Sequence, residues 1–412
     1  MTPERKVAVI TGASRGIGAQ LLKAYRHIGY QVIASSRSMR ESDDPAILVI
    51  AGDIARPETA ERILGTAAER FGRIDTLVNN AGIFIAKPFT EYSEKDFATM
   101  IAVNLAGLSA IRRQTAKPIN LNFFCHASPA TDPAREAAWR GQLKSYYLEL
   151  GLDPEMRLST LTIDPFGSAH CDLVAELKPE VVSFHFGLPN PDLLARVKAV
   201  GAKILSSATC VKEAIWLEQR GCDAIIAQGL EAGGHRGMFL SDNVATQAGT
   251  MALVPQVADA VRVPVIAAGG IADERGIAAA FMLGASGVQM GTAYLFCPEA
   301  NVPPLHRQAL KTAQDDQTVL TNVLSGRAAR AIVNRIVHEL GPMSEHAPAF
   351  PLAGAALAPL RSRSEPSGSD DFTPLWSGQA AHLGRELPAG ELTVRLAKRA
   401  LAKLGALQRA SS

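Results

Sequence analysis

Several features are missing from this 412-residue sequence. It has no run of about 18 apolar residues, so no membrane-spanning helix is expected. Its opening stretch, MTPERKVAVITGAS, is charged and then enters a short apolar run without a signal-peptide core, so a cytoplasmic location is expected. Lysine and arginine number 42 against 40 acidic residues, a formal net charge of +2, and no basic block is interleaved with aromatics. That balance gives no reason to expect nucleic acid or a membrane surface as partner. The five cysteines (Cys125, Cys171, Cys210, Cys222 and Cys297) are scattered and form no C-x-x-C. They read as reduced thiols, most of them small core residues. His126, His170, His306, His338, His346 and His382 show no ligand spacing, so no metal site is expected. The remainder, 47% hydrophobic and 20% charged, is ordinary for a globular chain of two domains, or of one large domain with an extension. Nothing in the sequence sets an oligomeric state.

The first hundred residues alternate strand-like and helix-like segments. KVAVI (6–10) is a short β-branched run that reads as a buried parallel strand. It runs into TGASRGIG (11–18) and then a helical pattern. In that setting Gly12 allows a tight turn, while Gly16 and Gly18 let a pyrophosphate approach the helix N-terminus. Further strands are expected at 31–37, 46–54 and 74–82, which is the order of a doubly wound α/β unit. Arg37, at the end of the second strand, favours the 2′-phosphate of NADP, and Arg15 in the glycine turn would help. An exposed loop charge is the equal alternative for Arg37.

TGASRGIG, GDI with Asp53, NNAG with Asn80, and VN with Asn104 resemble the short-chain dehydrogenase/reductase family over about residues 5–108. The resemblance implies NADP held by Gly12, Ser14, Arg15, Gly16, Gly18, Arg37, Asp53 and Asn80. That family reduces carbonyls with a Tyr-x-x-x-Lys pair. Here the residues four places after Tyr25, Tyr30, Tyr92, Tyr146, Tyr147 and Tyr294 are Gly29, Ala34, Asp96, Leu150, Gly151 and Pro298, so no lysine stands there. Carbonyl reduction is therefore not expected of this head.

Beyond about residue 111 the pattern changes. KPINLNFF (117–124) reads as a strand, and strands recur at 180–187, 202–209, 223–229, 263–270 and 287–295 with helical segments between them. Six such βα repeats with glycine-rich strand ends fit a TIM-type barrel two strands short of eight. QGLEAGGHRG (228–237) follows a strand, where a barrel carries its functional groups. His235 lies among its glycines, unshielded and with a pKa suited to removing a proton from carbon; a loop histidine with only a structural hydrogen bond is the alternative. His185 is either a pocket wall or a satisfied core group. The glycine turns after the strands at 263–270 and 287–295 fit a phosphate grip made of backbone amides, with ordinary tight turns as the alternative. Residues 361–371, RSRSEPSGSDD, read as a flexible polar loop.

VSFHFGLP, QGLEAGGHRG, VIAAGGIAD, GASGVQMGT, SGRAARAIVNR and the tail from DFTPLWSGQ resemble the nitronate monooxygenase family of FMN-dependent TIM barrels, over about 115–412. The resemblance implies FMN contacts from Asn122, Gln228, Gly233, Gly270, Gln289, Met290, Gly291 and Thr292, with His235 as catalytic base. It implies oxidation of a nitronate or nitroalkane by O₂ to a carbonyl compound and nitrite. The family's first two strands have no counterpart here, and the dehydrogenase-like head stands in their place. The expected organisation is thus 1–110, a partial Rossmann-like unit, and 111–412, an incomplete FMN-type barrel with a helical C-terminal extension. The alternatives are an NAD(P)H-dependent oxidoreductase, run either by the head or by NAD(P)H reduction of the flavin, and an inactive fusion.

Overall fold

The computed structural model describes residues 6–14, 16–37, 39–53, 56–78, 117–130, 132–158 and 164–410. Arg15, Asn80, the rest of NNAG and Asn104 lie outside the described residues. The chain forms two compact units, Met1–Lys117 and Pro118–Ser412.

In the first unit β1 (Val7–Thr11), β2 (Gln31–Ser36), β3 (Ile47–Ala51) and β4 (Thr76–Val78) make a parallel sheet in the order β3-β2-β1-β4. β1 is buried along its whole length, as an apolar run covered on both faces should be. The crossovers are helices Gly16–His27 and Pro57–Phe71. The second starts with proline in its first turn and ends on Gly72 in the left-handed region, φ 69°. The unit's core gathers Val7, Val9, Ile33, Ile50 and Ile63.

The second unit is built on six parallel strands. They are β5 (Asn120–Phe124), β6 (Val181–His185), β7 (Lys203–Ala208), β8 (Ala224–Gln228), β10 (Val265–Ala268) and β11 (Gly287–Gln289). Each pairs with its neighbours in sequence, apart from a two-residue strand, β9 (Gly234–His235), which belongs to another sheet. The result is a parallel half-barrel. Among the described residues, β5 and β11 are its open edges. Helices Ser168–Leu177, Pro191–Ala199, Val211–Gln219, Thr250–Ala260 and Glu274–Met282 run between the strands. They bury Val182, Phe184, Ile204, Leu217, Ile225 and Val257 in one core. Asn190 and Asp273 cap two of these helices by accepting from Leu193 N (2.9 Å) and Arg275 N (2.8 Å), each worth about 1 kcal/mol.

β9 joins β12 (Thr318–Thr321) and β13 (Ala329–Ile332) in an antiparallel sheet, with His235 opposite Ala329. A second core packs helix Pro133–Glu149, through Trp139, Leu143, Tyr146 and Tyr147, against helices Arg335–Leu340 and Leu352–Ser364. The C-terminal helix Ala389–Ala410 packs Leu392, Leu396 and Ala400 into the main core.

Two local expectations are corrected. The strand expected over 287–295 stops at Gln289, and Thr292–Leu295 is a turn of helix after Gly291. Residues 361–371 are not a loose loop: the helix runs to Ser364, which is buried, and Glu365 accepts from Thr373 Oγ1 at 3.0 Å. Serines there hydrogen-bond within the turn, as Ser367 Oγ does to Ser364 O (2.7 Å), so polar composition misleads. Among the described residues no helix is long and apolar enough to cross a membrane, and no cluster of His, Cys, Asp and Glu could hold a metal ion.

Candidate functional site

The C-terminal ends of the half-barrel strands surround a cavity of about 430 Å³. Its lining joins Asn122 and Phe124 of β5, His185 at the end of β6, Gln228 at the end of β8, and the turns after β10 and β11. The sequence-predicted residues Asn122, Gln228, Gly233, His235, Gly270, Gln289, Gly291 and Thr292 all line it. Met290 does not: strand alternation sends its side chain into the apolar core beside Val288 and Tyr294. Any contact from Met290 to the cavity is therefore made by its backbone.

The loop after β8 is tied at almost every residue. Glu231 accepts from Thr250 N (2.9 Å) and Thr250 Oγ1 (2.8 Å). Arg236, fully buried, donates to Gly229 O (2.6 Å), Gln228 O (2.7 Å) and Gln247 Oε1 (2.9 Å). Burial lowers its pKa to about 10, so the guanidinium stays charged and its fork is filled with carbonyl oxygens. Gln228 has both ends of its amide engaged: Nε2 donates to His235 O (3.0 Å) and Oε1 accepts from Gly237 N (2.7 Å). Gly233 allows close backbone contact, since a Cβ there would lie 2.4 Å from Gly378 N. Gly378 N in turn donates to Thr292 Oγ1 at 2.9 Å, which links the loop to the turn after β11.

His235 is not unshielded. Its ring sits among Phe350 (5.0 Å between centroids), Trp376 (5.2 Å), Phe186 (6.1 Å) and Phe124 (6.3 Å). Its Nε2 is 2.9 Å from Ser325 Oγ. Burial, and then the neighbouring His185 and Arg327, push its pKa down to about 3, so the imidazole is neutral at ordinary pH and holds a lone pair but is a weaker base than the sequence leads one to expect. His185 is held down at about 4, chiefly by burial. Arg327 lies over the Phe186 ring at 4.1 Å.

The cavity suits a flavin on three counts. Its volume falls in the ~300–1,000 Å³ range of cofactor sites. Asn122 from one edge strand, and Gln289 and Thr292 at the other, offer polar groups to the cavity, and Ser183 Oγ donates to Asn122 Oδ1 at 2.9 Å. Gly269 and Gly270 follow β10 with φ of 110° and 68°, conformations that suit glycine and leave amides on the wall without side chains in front. No Lys or Arg stands among these lining residues, so a phosphate here would be held by amide donors. Asn122 and Gln289 face inward yet are exposed, because both lie on edge strands.

Sequence reasoning missed Ser183, Ser207, Ser325, Gly378 and the aromatic walls. They share no sequence signal: Ser183 sits in the middle of β6 and Ser207 near the end of β7, while Ser325, Phe350, Trp376 and Gly378 come from loops that meet only in the fold. In the first unit Gly12 has φ 66°, Ala13 N donates to Ser35 O (3.1 Å), and Ser14 and Arg37 are exposed. Asp53 follows β3, and the helix after the glycine turn starts at Gly16 and includes Gly18.

The nitronate monooxygenase family model matches residues 103–398, and the short chain dehydrogenase model matches residues 6–120. A nitronate monooxygenase of Pseudomonas aeruginosa is 43% identical over 287 residues, covering 68% of this chain and 81% of that protein. One from Paraburkholderia phytofirmans is 41% identical over 305 residues, covering 72% and 82%. The structure of a nitroalkane oxidase from Streptomyces ansochromogenes superposes with a TM-score of 0.64 at 34% identity, covering 73% of this chain and 85% of that one. A mutant FabK from Thermotoga maritima gives 0.53 at 26% identity, covering 74% and 82%. With the family model spanning most of the sequence, the chain belongs to the nitronate monooxygenase family.

Proposed function

We propose that the second unit oxidises alkyl nitronates, and nitroalkanes after deprotonation, with O₂ to a carbonyl compound and nitrite, using FMN as cofactor and His235 as base. The observation that carries this reading is the His235 ring, with its Nε2 2.9 Å from Ser325 Oγ, on the wall of a cavity whose other walls suit a flavin. Asn122, Gln228, Gly233, Gly270, Gln289, Gly291 and Thr292, with the backbone of Met290, would hold the cofactor. When bound, the flavin supplies the redox chemistry, carrying electrons from the nitronate to O₂.

The protein's own part is proton transfer and enclosure. With the Ser325 hydroxyl donating to Arg327 O (3.2 Å), Ser325 Oγ accepts from His235 Nε2–H, and the lone pair sits on His235 Nδ1. That nitrogen takes the proton from the carbon bearing the nitro group. The C–H bond breaks, an N–H bond forms, and the electron pair delocalises into the nitro group as the nitronate. The rings of Phe124, Phe186, Phe350 and Trp376 keep water from the carbanionic centre.

In this reading the six parallel strands stand for the third to eighth of an eight-stranded barrel, and the parts divide near residue 110. The first unit keeps a nucleotide cradle in Gly12, Ser14, Gly16, Gly18, Arg37 and Asp53, to which NADP would bind without being turned over.

Oxygen uptake and nitrite release with ethylnitronate test the proposal directly. Nitrite formed in step with oxygen consumed is expected. Rapid anaerobic bleaching of bound flavin by NAD(P)H, with no nitrite from nitronate, would replace it with the NAD(P)H-reductase reading.

A further inference from the structure

The backbone of the proposed base is held from two sides. Strands β6 and β8 end in His185 and Gln228, which both reach the His235 carbonyl, and β7 between them carries Ser207 one residue before its end. His185 Nε2 is 3.1 Å from His235 O, and Gln228 Nε2 donates to the same oxygen at 3.0 Å. A carbonyl can only accept, so His185 carries its proton on Nε2. Its Nδ1 is then the acceptor for the Ser207 hydroxyl at 3.0 Å, which fixes the tautomer. The fit is close: a Cβ on Gly237 would come within 2.9 Å of both His185 Cε1 and Ser207 Cβ. The loop carrying His235 is thus pressed onto this histidine, with only glycine between them.

We infer that His185 is a positioning residue for His235, fixing the base through its backbone carbonyl together with Gln228, with Ser207 setting the His185 tautomer. The inference rests on the reading of His235 as a base. It assigns Gln228 the same task, since both ends of its amide are committed to the loop. A misplaced base slows proton removal from a neutral nitroalkane. A nitronate arrives already deprotonated and asks less of His235.

The test compares kcat and KM on nitroethane and on ethylnitronate for the wild-type flavoprotein, His185→Phe and His185→Gln. His185→Phe keeps an aromatic ring and removes both nitrogens. His185→Gln keeps a donor at the Nε2 position and an acceptor for Ser207. We expect His185→Phe to lower kcat on nitroethane at least about tenfold more than on ethylnitronate, with KM on nitroethane changed by less than about threefold. His185→Gln should recover most of that loss. In ¹⁵N-histidine spectra, His185 should be the neutral Nε2–H tautomer. Equal losses on both substrates would mark a merely structural role and overturn the inference, as would full nitroethane activity in His185→Phe or an Nδ1–H tautomer. Wild-type protein that oxidises ethylnitronate but not nitroethane would instead overturn His235 as a base, and this inference with it.

Discussion

Acidification should loosen the second unit through two specific histidines. His185 and His235 are both held far below their ordinary 6.5 in the fold, at about 4 and about 3, mainly by burial. Once unfolded, both return to the ordinary value and take up protons as pH falls. Their contribution to stability is therefore complete above 6.5 and is lost as pH falls toward the folded values. Between about pH 7.5 and about pH 5.5 each histidine costs roughly 1.4 kcal/mol, so the pair costs about 2.7 kcal/mol. That is a large share of the ~5–15 kcal/mol by which a typical domain is stable. The window lies above the range in which most carboxylates titrate.

Urea unfolding followed by tryptophan fluorescence is the assay. All three tryptophans, Trp139, Trp216 and Trp376, lie in the second unit, so the signal reports that unit alone. Wild-type protein is compared with the double variant His185→Gln/His235→Gln. His170 and His306, also depressed by burial, remain in both and cancel. The wild-type free energy should fall by about 2.7 kcal/mol more than the variant's across the window. Parallel pH curves would refute the claim that these two imidazoles are kept neutral by the fold.

Three further outcomes follow from the site. Gly233→Ala puts a Cβ 2.4 Å from Gly378 N and must push the backbone away from Thr292; the flavin bound per chain, read by absorbance, should fall in line with an overpacking cost of about 1–3 kcal/mol. Arg236→Met leaves the carbonyls of Gln228 and Gly229 without their buried donor, and the urea midpoint should drop in proportion to about 2–4 kcal/mol. Phe350→Ala opens the box beside His235, whose ring is 5.0 Å away, and should improve kcat/KM for branched nitronates relative to ethylnitronate by about tenfold.

Much of the fold was legible in the sequence because its strands are short apolar runs bounded by glycine. Val7–Thr11 and Ala224–Gln228 are buried at every position, and parallel strands of that kind leave a continuous signal. The loop after β8 was legible too, since its glycines sit where barrel chemistry collects. The hairpin of β12 and β13 was not. β13 carries Arg330, buried and donating to Leu230 O (3.0 Å) and Thr318 O (3.1 Å), and a buried charge breaks the apolar pattern. The enclosure of His235 was hidden for a different reason. Phe124, Phe186, Phe350 and Trp376 are far apart along the chain and meet only in three dimensions. Gly233 was legible as important, but part of its reason is the Ser377–Gly378 backbone packed against it, which no local pattern encodes.

The visible absorbance of the purified protein, before and after adding FMN, tests the central claim most directly. A flavin spectrum at about one FMN per chain, retained through gel filtration, is expected, with nitrite released when ethylnitronate and O₂ are supplied. A protein that carries no flavin and takes up none, while its tryptophan fluorescence still reports a cooperative unfolding transition, would contradict it.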